Sequence, residues 1–181
     1  MKHQIIVKKI TAVTGALVML LSPMASVMAE STANHSLRGI VEQGSGGGTL
    51  TINSVTLIKN SGVADGTFEN GWKWVIDLSA PINEQNLMMK FENWLIEGVG
   101  GGYSIPAAGN MRFYSNQSSN AFNQGSAVYI TAPNTYSSTM FLNGNLDNSA
   151  QIRHVQITVE TKIPSGTHIG SYSTNFGIKT Q

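Results

Sequence analysis

From Phe68 to Leu78 the chain alternates: Phe68, Trp72, Trp74, Ile76 and Leu78 fall on one parity, while Lys73 and Asp77 fall on the other. A period of two sends successive side chains to opposite faces, so this run predicts a half-buried β-strand with its two tryptophans in the core. Ala80-Pro81 closes it. A second run repeats the pattern, with Leu87, Met89 and Phe91 opposed to Met88, Lys90 and Glu92, and Trp94 and Leu95 extend it. A helix would not sort these residues so cleanly.

Further strands are predicted around Met111 to Tyr114, Ala127 to Thr131 and Thr139 to Leu142, separated by Asn- and Ser-rich loops such as Asn116 to Asn120 and Asn143-Gly144-Asn145. Two strong strands close the chain. Val155, Ile157 and Val159 alternate with His154, Gln156, Thr158 and Glu160, and Tyr172, Thr174, Phe176 and Ile178 share the parity of the last. Leu50 and Ile52 alternate with polar neighbours before Val55 and Leu57 resume on the opposite parity, which predicts a bulge. About eight or nine short strands without an amphipathic helix imply an all-β domain, an antiparallel β-sandwich of two packed sheets. An immunoglobulin-like sandwich is the first expectation and a jelly roll the second.

The N-terminus reads differently. Lys2, Lys8 and Lys9 precede an uncharged apolar run from Ile10 to Leu21, which breaks at Ser22-Pro23 and ends in Val27-Met28-Ala29. A membrane-spanning helix needs about 20 apolar residues. The shorter run and its small-residue end predict a signal peptide over 1–29, cleaved after Ala29. The expected location is therefore secreted, cell-envelope or periplasmic, with no membrane attachment after cleavage. Residues 30–48, ending in Gly44-Ser45-Gly46-Gly47-Gly48, read as a flexible arm in which only Leu37, Ile40 and Val41 have packing capacity, so it is either disordered or a single short strand that needs a partner. The sandwich domain is expected over 49–181.

Removal of Lys2, Lys8 and Lys9 leaves eight basic residues against ten acidic ones, a net charge of −2. Without a basic stripe, electrostatic capture of nucleic acid has no basis. The chain has no cysteine, so an exported domain of this kind draws its stability from its core and not from disulfides.

No catalytic constellation is read, and an enzyme is not expected. His35, His154 and His168 fall in an arm, a strand and a turn, and no histidine pair has metal-ligand spacing. A G-x-S-x-G elbow is absent. The acids Asp77, Glu92, Glu97 and Asp147 cannot be paired by sequence into a glycosidase dyad. Asn143, Asn145 and Asp147 begin like a calcium loop, but Asn148 and His154 stand where glycine and a bidentate glutamate belong, so an Asn-Gly turn is the better reading. No cofactor and no metal are expected.

The closing segment Ile163-Pro164-Ser165-Gly166-Thr167-His168-Ile169-Gly170-Ser171-Tyr172 resembles the last turn and strand of bacterial secreted immunoglobulin-like domains, including pilus-subunit and spore-coat-like proteins. More of the chain resembles a group of uncharacterised small exported bacterial β-sandwich proteins. The shared residues are Asn70-Gly71-Trp72-Lys73-Trp74, Met89-Lys90-Phe91-Glu92-Asn93-Trp94, Ile105-Pro106-Ala107-Ala108 and Arg112-Phe113-Tyr114-Ser115. The resemblance implies fold and export, and brings no activity with it.

Two roles are left. One is a non-catalytic structural or adhesive component of the cell surface, assembling with itself or other surface proteins by edge-strand addition through Leu37, Ile40 and Val41. The other is a carbohydrate-binding module that presents Tyr103, Tyr114, Tyr129 and Tyr136 to glycans.

Overall fold

A computed structural model describes residues 27–30, 35–41, 50–98, 102–115, 126–142 and 144–181. The signal-peptide expectation for residues 1–26 and the glycine run of the arm lie outside these residues. Among the described residues there are thirteen strands: β1 (Val27–Glu30), β2 (His35–Val41), β3 (Thr51–Lys59), β4 (Trp72–Pro81), β5 (Asn86–Phe91), β6 (Trp94–Ile96), β7 (Ser104–Ile105), β8 (Met111–Ser115), β9 (Val128–Tyr129), β10 (Met140–Phe141), β11 (Asn145–Asp147), β12 (Ile152–Thr161) and β13 (Tyr172–Thr180).

They form two sheets. The first runs β1-β2-β13-β5-β10, with β6 pairing β13 and β7; the second runs β3-β4-β12-β8-β9, with β11 beside β12. All pairings are antiparallel except β2 with β13, which is parallel. The described residues are thus all-β, with their core between two sheets, as the alternation requires.

Alternation sets the core directly. Trp72, Trp74, Ile76 and Leu78 of β4 are buried together with Val155, Ile157 and Val159 of β12, and they face Leu87, Met89 and Phe91 of β5. The two layers meet through aromatic rings. Trp74 of the second sheet stacks on Trp94 of the first at 5.3 Å between centroids, and Trp72 meets Trp94 edge-on at 5.0 Å. Such pairs add stabilisation beyond the area they bury. The parity change in β3 is a genuine irregularity, since its register with β4 shifts between Ile52 and Ser54 and again between Leu57 and Lys59.

Two expectations need correction. Phe68 does not share the inner face with Trp72, because β4 begins only at Trp72 and Phe68 lies in the preceding turn. There, Asp65 accepts hydrogen bonds from the Thr67 amide and hydroxyl and from the Asn70 amide group, tying 65–70 into a loop that swings Phe68 to the outside of the second sheet. Gly66 takes φ of +77° in it, a backbone conformation that costs a glycine little. The second concerns the domain boundary at residue 49. Of the two readings of the arm, the short strand with a partner is the one present: it contributes β2, whose Leu37 is fully buried in the common core, so the packed domain extends N-terminal to residue 49.

Candidate functional site

Two regions, on different sheets, carry five of the expected site residues: Leu37, Ile40 and Val41 in one, Tyr114 and Tyr129 in the other. The first is β2, which lies between β1 and β13 in the first sheet. Its seven residues pair in parallel register with β13, from His35 opposite Tyr172 to Val41 opposite Ile178. Leu37 is buried, Val41 packs partly against the core, and Ile40 takes part in the ladder opposite Gly177. Gly39 stands opposite Phe176, and a side chain there would overlap the Phe176 ring. The inward series Leu37, Gly39, Val41 is therefore large, absent, large against Thr174, Phe176, Ile178. This shape match sets the register, because a slip of one residue would turn Leu37 out of the core and a slip of two would drive a side chain into Phe176. The expectation that Leu37 is available to a neighbour fails for this conformation: it already fills its own domain.

The second region is the outer face of the second sheet. Lys73 of β4, Glu160 of β12, Arg112 of β8 and Tyr129 of β9 form one row of cross-strand neighbours. Glu160 is only 1% exposed. Its Oε1 accepts from Lys73 Nζ at 2.7 Å and from the Tyr114 hydroxyl at 3.0 Å, and its Oε2 accepts from Arg112 Nε at 2.8 Å and Nη2 at 2.7 Å. Burial pushes the Glu160 carboxyl up, but the hydrogen bonds and charges of Lys73 and Arg112 outweigh it, and the group is held below the usual carboxylate range. The Arg112 guanidinium also lies over the Phe68 ring at 4.1 Å, and its Nη1 donates to the Tyr129 hydroxyl at 3.3 Å. Phe68 packs edge-on against Tyr129 with centroids 5.9 Å apart.

The four tyrosines do not converge. Tyr129 is 47% exposed beside Phe68 and Arg112. Tyr114, expected on the surface, is buried because its hydroxyl turns onto Glu160. Tyr103 is exposed and stacks on His168 at 4.3 Å, whereas Tyr136 is half-buried against the first sheet between the ammonium groups of Lys179 and Lys90, at 4.3 and 5.0 Å from its ring. His154 sits exposed on β12, with Nδ1 3.4 Å from the Ser79 hydroxyl.

The Glu160 row is not legible in the sequence alone. Thr158 and Glu160 occupy the polar parity of β12, which alternation alone assigns to solvent, yet both are buried. Three polar-parity residues of suitable charge on β4, β8 and β12 were visible as such, but only the strand order brings them together. Asp147, considered for calcium, accepts hydrogen bonds from the Ser149 hydroxyl and the Ser149 and Ala150 amides, and these hold its carboxyl below the usual range. Among the described residues no group of three or more histidine and carboxylate side chains is placed to hold a metal ion.

No protein-family model matches the chain, and no curated protein matches it in sequence.

Proposed function

We propose that the chain is an exported, non-catalytic structural or adhesive component of the cell surface that assembles by edge-strand addition at β2. The observation that carries this reading is the fit of β2: an N-terminal strand with Leu37 and Gly39 shaped to β13, followed by the glycine-rich sequence of 42–49. On one long side β2 pairs β13 and on the other it pairs β1; once cleavage after Ala29 takes most of β1 away, β2 ends its sheet and has an edge suited to addition by another chain. Export by a signal peptide cleaved after Ala29 belongs to the same reading. So does an immunoglobulin-like topology in preference to a jelly roll.

The test is the mass distribution of the mature protein from Glu30 by light scattering, over a wide concentration range, with and without residues 30–48. Association that needs the arm supports the proposal; a monomer at every concentration overturns it.

A second reading, a glycan-binding face, is favoured by one observation: exposed Tyr129 stands beside Phe68 and Arg112 on the outer face of the second sheet. An aromatic ring stacks on the apolar face of a sugar while neighbouring donors bond its hydroxyls. A glycan array probed with the mature protein and with Tyr129→Ala tests it, since binding that survives this substitution rules out the face.

A further inference from the structure

The edges of the two sheets are not equivalent. In the second sheet, β3 is long, but two register shifts interrupt it, and at the other side β9 has two residues. In the first sheet, β10 on the far side also has two residues. Bulges and very short strands are the usual devices that prevent edge-to-edge pairing. β2 has neither. It is seven residues long and keeps unbroken register with β13 along its whole length.

What covers β2 is β1. Val27 to Glu30 pair antiparallel with it, Val27 opposite Gly39, Met28 opposite Arg38, Ala29 opposite Leu37 and Glu30 opposite Ser36. β1 also lies against β3, so the terminal strands of the two sheets meet on this side of the sandwich. Cleavage after Ala29 removes three of its four residues and leaves Glu30. The backbone donors and acceptors of Ser36 to Gly39 that β1 satisfied are then returned to the edge.

We infer that this vacated edge is a self-association surface on which β2 of a second copy takes the place of β1, antiparallel, so that the two first sheets continue across a two-fold axis. The inference rests on the assembly reading above and adds its interface, its partner and the event that opens it. Three features select a second copy. The seat already accepts an antiparallel strand of this chain, and a strand equal in length to β2 pairs more of it than four-residue β1 does. An isologous contact also needs only one patch on each subunit. Registers that keep Leu37, Gly39 and Val41 on the core face are available, because opposed residues in an antiparallel pair project to the same face.

The experiment compares the mature chain from Glu30 with a chain beginning at Val27, by light scattering across the same concentrations. Because the protein has no cysteine, single substitutions Ser36→Cys, Arg38→Cys and Ile40→Cys then report whether two β2 strands lie side by side. The expected result is a dimer from Glu30 that forms an intersubunit disulfide at one or more of these positions, and a monomer from Val27 that forms none. Equal association of both chains, or a dimer that cross-links at none of the three, overturns this interface while leaving assembly itself standing. A mature chain that stays monomeric overturns both.

Discussion

The Phe176 ring of β13 lies across the backbone of Gly39 in β2 and fills the space that a side chain would need there. Gly39→Ala is expected to destabilise the protein by about 1–3 kcal/mol through overpacking. Urea unfolding measures this. Combining it with Phe176→Leu, which opens room beside the new methyl group, should cost clearly less than the two single changes added together. Strict additivity would show that the ring and the glycine do not meet.

Leu37 separates a packed strand from a loose leader. Its side chain is buried with no exposure in the common core, so Leu37→Ala should cost about 3 kcal/mol in a denaturant titration. Ile58→Ala, at a side chain 55% exposed, serves as the control and should change stability by no more than about 0.5 kcal/mol. Equal, small effects at the two positions would mean that β2 does not belong to the core.

Glu160 gives the protein a defined response to acid. Its carboxyl is held below its ordinary value of 4.5, so its contribution is fully present above that pH and is lost as pH falls through the lower folded-state value. Glu160→Gln leaves Arg112 and Lys73 without their counter-charge and should cost about 3 kcal/mol at neutral pH, the low end for breaking a buried pair, because Lys73 at 33% exposure can regain water. Unfolding curves of the two proteins should converge as pH drops below 4.5. A gap that is independent of pH would rule out the ionised Glu160 as its source.

Trp94 joins the two sheets by stacking on Trp74 and meeting Trp72. Trp94→Ala is expected to cost about 4 kcal/mol and to weaken the near-ultraviolet circular dichroism of the indole cluster. Replacement without loss of that signal would mean that the rings do not form one cluster.

Local alternation was sufficient to determine an all-β chain, to place Trp72, Trp74, Ile76 and Leu78 inside, and to locate the irregularity of β3, because the side-chain period of a strand is a property of adjacent residues. It erred at Phe68, where the hydrogen bonds of Asp65 redirect the chain before the strand begins. Strand neighbours are another matter. Lys73, Arg112 and Glu160 come from three separated strands, and only their order β4-β12-β8 makes a buried carboxylate with its cations out of three residues that individually read as solvated. The same holds for β2. Its sequence is sparse in apolar residues and reads as an arm, and it becomes a strand because the edge of β13 supplies the partner backbone and Phe176 supplies the one neighbour that a glycine fits. Periodicity fixes which side chains share a face of one strand; which strands share a sheet depends on contacts between residues far apart in the chain, and those only the tertiary structure decides.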